Sequence, residues 1–458
     1  MKTSRRFGLT LIAFFCASVL LFGSRALAQE ADWQVGIAQV KITPSKPVTL
    51  AGYAARTKPF ETVDQNVYAT AMALQDRENH RAVLITLDLT ILPGDVAEGV
   101  RSRIIEKQKL EPAQVVLSVS HTHSAPTVSL SAGGGVMPTG NVANTIEYTR
   151  ELQDKIVAVA DEALAKMSPA KLSWGWGVAN FVMNRRQFTD RGIILGVNPA
   201  GPVDRTVPVL RIDGPDGTLR GVLFGYACHN TTMPSNMLAV SGDYAGHAKA
   251  FVQKQFPGTL AMFMMGCGGD ANPYPREQAQ YAVTHGQELG EEVCRVLKTK
   301  LTPVHGPLGC AQIIAQLPLE TPDEAALTKL AASGPSLIKP MAQQMLKDVQ
   351  NGDKLPAAHA APVCAWQFGK DLTLVQLPEE VTVGYVHDIQ QSVGPLRLWV
   401  SAYCNEVAGY VPTRQILSEG GYEARGLYVG NGWFAPGVEE TLTNAARDAT
   451  VKAGRTLP

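Results

Sequence analysis

Apolar runs of strand length that alternate with amphipathic helical stretches constrain this chain more than any other feature. VGIAQVKIT (35–43), AVLITLDL (82–89) and VVLSVS (115–120) are rich in β-branched residues and read as strands. Residues 146–167 carry apolar side chains at Ile146, Leu152, Ile156, Val157, Ala160 and Leu164, the spacing of one helical face. Strands are expected again at 171–183, 221–228 and 259–265. Helices are expected from Asp243 to Phe256, over 278–297, over 323–350 in pieces broken at Gly334 and Pro335, and over 439–453. CAWQFGKDLTLVQL (364–377) reads as two strands around a turn, and LRLWVSAY (396–403) as one more. The alternation predicts an α/β fold with a mixed sheet flanked by helices, in a single large catalytic domain. Residues 125–144 and 184–207 are rich in Gly, Pro and Asn. They are too long for plain connections and are expected to shape a site or its lid.

The first 28 residues stand apart. A basic start (Lys2, Arg5, Arg6), an apolar core and Ala26-Leu27-Ala28 read as an export leader removed before Gln29. The expected domain then runs over 29–458, and the protein is expected to be periplasmic or extracellular. Removing the leader's four positives (Arg25 is the fourth) from the 41 bases leaves 37 against 41 acids, about −4. That balance argues against nucleic acid as a partner. Cys228, Cys267, Cys294, Cys310, Cys364 and Cys404 remain, an even number that permits disulfides after export. None has CxxC spacing.

The chemistry is expected at two strand ends. SVSHTHSAP (118–126) places His121 and His123 at i and i+2, where two strand side chains share a face. The carboxyl end of a strand is where α/β sheets bind ligands. Histidine is the commonest zinc ligand. His229 ends a second strand in GVLFGYACHNTT, and two such motifs favour one shared metal site.

With these residues in view, the chain resembles the neutral/alkaline non-lysosomal ceramidase family, zinc enzymes that cleave the amide of N-acylsphingosine. VGIAQVKITP with AGYA (51–54) resembles the family's opening strand and its Gly-Tyr-Ala. HTHSAP resembles HTHSGP, and NRR (184–186) an Asn-Arg element. ACHNTTMPSNMLAVSGDYAG resembles an Asn-His-Gly-Thr segment followed by Ser-Gly-Asp. GCGGDANP, LPEEVTVG and GYVPTRQILSEGGYE resemble the family's Gly-Asp, Pro-Gly-Glu and Gly-Tyr elements. The resemblance implies one Zn²⁺ per chain, held by His121, His229, Glu380 and Tyr410. It implies His123 and Tyr410 as catalytic groups, and Arg185 and Tyr422 as substrate-binding ones. A second, structural Mg²⁺ or Ca²⁺ is allowed, without assigned ligands. The implied reaction is amide hydrolysis by zinc-activated water, whose pKa the metal lowers from ~15.7 toward ~7. The implied partner is a small N-acyl lipid or amide, with at most peripheral membrane contact.

Departures bear on the substrate. KITP replaces the family's Ile-Thr-Gly, and CHNTT differs around His229. Gly269-Asp270-Ala271-Asn272-Pro273 lacks the serine of the family's Gly-Asp-Val-Ser-Pro-Asn, so a serine nucleophile there is excluded. The immunoglobulin-like domain of larger members is not expected. A metal-dependent hydrolase of another amide or ester, or a non-catalytic binding relative, is the alternative. Glu379 competes with Glu380, and the pair reads also as a helix N-terminus. Arg185 and Arg186 read also as a solvated pair, and Tyr422 as the cover of a turn. Asp243 reads as a helix cap ahead of a carboxylate orienting a histidine; Asp88 and Asp270 have similar standing. His80, His247, His285, His305, His359 and His387 are expected to be surface or structural.

Overall fold

The computed structural model describes residues 32–131, 141–334, 338–425 and 432–458; the leader 1–28 lies outside them. Nine strands make the main sheet. Its path runs Leu260–Met265, Leu219–Tyr226, Thr206–Asp213, Ser168–Val178, Trp33–Lys41, Tyr68–Asp76, Arg81–Leu87 and Val115–Val119, with Thr302–Val304 paired to Ser168–Val178 beside it. Most neighbours are antiparallel. Arg81–Leu87 with Val115–Val119, and Leu219–Tyr226 with Leu260–Met265, are parallel. A second sheet of four strands (Leu308–Pro318, Ala358–Phe368, Leu372–Gln376, Leu398–Ser401) lies against the first. The mixed α/β architecture expected from the alternation is therefore present.

Period-two burial explains the layers. Met72, Leu74, Leu84 and Val116 pack with Trp366, Phe368, Leu374 and Trp399 of the second sheet. Their chain neighbours Ala71, Ala73, Val83, Ile85 and Val115 pack with Leu152, Ile156 and Ala160 of the helix Val142–Ala165. A sheet buried on both faces needs apolar residues at consecutive positions, which is why AVLITL reads as a continuous run. On the far side of the second sheet, Val363 and Val375 meet Leu442 and Ala446 of the helix Val438–Lys452. The order of layers is helix, sheet, sheet, helix. The sheet curls until its outer strands Leu260–Met265 and Val115–Val119 approach each other. The carboxyl ends of the two parallel pairs then meet at one place.

Several expectations change. The stretch 171–183 is two strands, Ser168–Val178 and Val182–Thr189, separated at Ala179–Phe181. Most of 184–207 is not a loop but a hairpin, with Val182–Thr189 paired to Gly192–Asn198. Its β-branched content (Ile193, Ile194, Val197) outweighs Gly192 and Gly196. Part of 125–144 lies outside the described residues. Glu380–Val381 is a short strand and the next helix begins at Gly384, so the two glutamates do not start a helix. All six described cysteines are unpaired. Among the described residues no helix is long and apolar enough to cross a membrane.

Candidate metal centre

His121 lies beyond its strand end, not within it, and its φ of 61° is left-handed. The i, i+2 rule for strands therefore does not aim this pair. The turn does. Thr122 bridges Asn230, and the His123 N–H donates to the Asn230 carbonyl at 3.0 Å. The two histidine segments are thus joined at their backbones. The His229 N–H donates to the Ala271 carbonyl at 3.0 Å, which ties in GCGGDANP as well.

Ring orientation follows from the hydrogen bonds. His121 Nδ1 lies 2.7 Å from the Thr90 carbonyl, and His229 Nδ1 2.8 Å from the Gly268 carbonyl. A carbonyl only accepts, so both Nδ1 atoms carry the proton and both Nε2 lone pairs point inward. There they face Glu380 Oε2, at 3.1 and 3.2 Å. That oxygen is buried and receives no hydrogen bond. Tyr410 Oη lies 3.4 Å from His229 Nε2, and His123 Nε2 3.1 Å from His121 Nε2. No donor lies on either line from an Nε2 to Glu380 Oε2, and buried acceptors that face each other so repel unless a cation lies among them. Two neutral imidazoles and a carboxylate are ordinary zinc donors, and each imidazole is oriented by the hydrogen bond at its Nδ1, so the set fits that metal.

Electrostatics favour neutral rings at His229 and His123. Burial, then Arg185 and His121, push His229 down to about 3. Burial, then His121 and His229, hold His123 well below the ordinary imidazole value.

Glu380 and Tyr410 reach the centre together because Glu380–Val381 and Tyr410–Val411 pair in parallel, with Glu380 opposite Tyr410. Glu379 turns the other way, its own φ being 65°. Its Oε2 accepts from the N–H groups of Ala408 and Gly409, just before Tyr410, and its Oε1 meets His359 Nε2 at 2.9 Å. These partners hold the Glu379 carboxylate away from the two histidines, and this decides between the two glutamates.

Residues 33–274, more than half of the chain, match the family described as neutral/alkaline non-lysosomal ceramidase, N-terminal. The chain belongs to that family. Both histidine motifs lie inside the match; Glu380, Tyr410 and Tyr422 lie beyond it. Neutral ceramidase B of Dictyostelium discoideum is 27% identical over 268 residues, 54% of this chain and 36% of that protein. Neutral ceramidase of Pseudomonas aeruginosa is 23% identical over 257 residues, 53% of this chain and 37% of that one. The chain spans little more than a third of the length of these curated relatives. In fold it resembles a ceramidase solved in complex with C2, with a TM-score of 0.72 at 19% identity over 94% of this chain and 76% of the other. The crystal structure of the Pseudomonas aeruginosa neutral ceramidase gives a TM-score of 0.71 at 20% identity, over 93% of this chain and 75% of the other.

In this ceramidase-family chain the expected substrate-binding residues flank the centre. Arg185 is buried, with its guanidinium carbon 5.3 Å from the Tyr410 ring centroid and 5.7 Å from that of Tyr422. Its Nε donates to Glu423 Oε1 at 2.7 Å and its Nη1 to Asn272 at 3.2 Å, while Nη2 is buried without a partner. Arg186 donates to Glu423 Oε2 at 2.8 Å and to Glu419 at 3.0 Å. The two arginines are therefore not a solvated pair. Tyr422 begins a short helix and its ring lies 5.2 Å from that of Tyr410, so it does more than cover a turn.

Sequence reasoning missed Glu423, Tyr403 and Gly52. The Tyr403 ring lies 4.6 Å from that of His121, and its buried hydroxyl has no partner. It follows a strand and carries no motif, so nothing in the sequence marked it. Gly52, φ 96°, lies against His123, and a Cβ there would come 2.4 Å from His123 Cγ. The Gly-Tyr-Ala element contained that signal. The three aspartates brace the centre and do not enter it. Asp243 opens the helix Asp243–Gln255 one residue after its cap Gly242, and accepts from the N–H groups of Thr232 and Met233, both at 2.9 Å. Asp270 accepts from the Val383 N–H at 2.8 Å, and burial pushes it up to about 6. Asp88 pairs with Lys249.

His359 is the structural histidine with the strongest charge environment. It lies between Glu379 and Glu406 Oε1, the latter at 3.2 Å. Burial lowers its pKa, but the two carboxylates prevail and push it up to about 10. Its folded pKa thus exceeds the unfolded value of ~6.5. The stability it contributes is complete below that value and is lost as pH rises toward about 10. His359→Gln is expected to flatten the alkaline fall of the melting temperature between those limits. A thermal melt series over pH for both proteins checks this, and parallel alkaline limbs would refute it.

Proposed function

We propose that this chain is a zinc-dependent amidohydrolase that cleaves the amide of an N-acylsphingosine or a related N-acyl lipid. What carries the reading is the convergence of His121 Nε2, His229 Nε2 and Glu380 Oε2, with no proton between either ring and the carboxylate, in a chain of the ceramidase family. His121, His229, Glu380 and Tyr410 would hold one Zn²⁺. Zinc held there supplies Lewis acidity, which polarises a carbonyl and acidifies water.

The remaining roles belong to the chain. In the metal-free site burial, then Glu380, push Tyr410 well above the ordinary phenol value, so it keeps its proton there at neutral pH. It can donate a hydrogen bond to the substrate oxygen where charge develops. His123 is neutral at the same pH and half-buried at the edge of the centre, suited to take a proton and return it to the leaving amine. The unpartnered Nη2 of Arg185 and the Tyr422 hydroxyl are suited to the polar head of the substrate. The same reading makes residues 1–28 an export leader and 29–458 the hydrolase domain, acting on a small amphiphile.

The test joins metal content to turnover of N-dodecanoylsphingosine by the purified protein. The expected result is about one zinc per chain, with fatty-acid release lost on chelation and restored by zinc. A protein that neither holds zinc nor takes it up would overturn the metal reading. One that holds zinc and hydrolyses only other amides or esters would move the substrate and keep the centre. Within this reading, Gly52→Ala is expected to lower turnover by about a hundredfold, since its methyl displaces His123 and small misplacements cost that much. Zinc content should stay at the wild-type level. Unchanged turnover would remove His123 from the chemistry.

A further inference from the structure

The hairpin of Val182–Thr189 and Gly192–Asn198 has an apolar exterior that the centre does not use. Phe188 is 61% exposed, Leu195 50%, Ile194 48% and Val197 38%. Monomeric proteins seldom leave such side chains contiguous in water without a partner for them. The register pairs Phe188 with Ile193, Arg186 with Leu195 and Gln187 with Ile194. Phe188 and Leu195 therefore share one face, and Ile194 projects from the other. A protein seated on one face would leave the other in water. A lipid surface surrounds both.

The hairpin's base is fixed to the centre. Arg185 belongs to its first strand, Arg186 ties that strand to Glu419 and Glu423, and Ile193 lies against Gly421, next to Tyr422. Its tip is held by Thr189 Oγ1, which donates to the Gly192 carbonyl at 2.7 Å and accepts from the Arg191 N–H at 3.2 Å. Asp190 and Arg191, both exposed, balance in charge. We propose that this hairpin is an interfacial anchor that inserts Phe188, Ile194 and Leu195 into a zwitterionic lipid surface and sets the mouth of the centre against it. In naming an amphiphilic substrate delivered from that surface, the inference rests on the proposed function; the binding itself does not.

The test is co-flotation of the full-length mature protein with phosphatidylcholine vesicles, for wild type and for the triple variant Phe188→Ser, Ile194→Ser, Leu195→Ser. Wild type is expected to float, with little dependence on salt because the tip carries no net charge. The triple variant is expected to lose at least about tenfold in partitioning, since three apolar side chains no longer leave water. An unchanged melting temperature shows that the variant is folded. Hydrolysis of a short-chain, water-soluble N-acyl amide is expected to be unchanged, and that of a long-chain one in vesicles to fall with partitioning. Wild type that fails to float, or a folded variant that floats equally well, overturns the anchor. So does a wild-type dimer that the substitutions make monomeric, since a second copy would then cover the hairpin. A wild type that floats but hydrolyses no amide keeps the anchor and sinks the amidase; soluble turnover without flotation does the reverse.

Discussion

Glu380→Gln is expected to remove bound zinc and at least about a thousandfold of turnover, the scale of losing Lewis-acid activation altogether. Its effect on the metal-free protein should have the opposite sign. In the wild type two buried Nε2 lone pairs face the Glu380 carboxylate, and no hydrogen lies between them. A glutamine amide supplies N–H donors at the same place and offers one to the acceptors that face it. Metal-free Glu380→Gln is therefore expected to melt no lower than metal-free wild type, while the rise on adding zinc disappears. Metal analysis and paired melts with and without zinc check this. A variant that keeps zinc at wild-type affinity would show that Glu380 is not a ligand. One that melts well below the metal-free wild type would show that the carboxylate is a structural partner of the histidines and not a cation's.

The largest loss of stability away from the centre is expected at Glu423. Its two oxygens accept from Arg185 and Arg186, and all three side chains are almost fully buried. Removing one partner of a buried ion pair leaves charge without compensation, at about 3–5 kcal/mol. Among the described residues, Glu423→Ala takes the only carboxylate partner from Arg185 and leaves Arg186 with Glu419 alone. Denaturant unfolding should show a loss at or above that range, with zinc content preserved because no metal donor is touched. A loss below about 1 kcal/mol would mean that water reaches both arginines. Glu423→Gln should recover part of the loss, since the amide oxygen still accepts one of the bonds.

How much of this was legible in the sequence depended on the range of the interaction. Long apolar runs announced the main sheet because burial on both faces demands them. The histidines announced themselves by motif and by their place at strand ends. The hairpin within 184–207 went unread, because Gly, Pro and Asn masked a β-branched pattern that the partner strand completes. Glu423 and Tyr403 were invisible for another reason. Each matters through a contact with a residue more than two hundred positions away, and no local pattern records such a contact. The choice between Glu379 and Glu380 needed the pairing of two very short strands, which only the folded chain supplies.

The proposed centre draws on residues 121, 229, 380 and 410, and the bridge from Thr122 to Asn230 and the pairing of Glu380 with Tyr410 bring them together. Contacts so distant along the chain form late and slowly, because the loops between them must close first. A fragment that lacks either half of the sequence has no complete donor set. On the proposed function, metal affinity would therefore be a measure of finished folding. During refolding, uptake of zinc should trail the recovery of helical signal and coincide with the last tertiary phase.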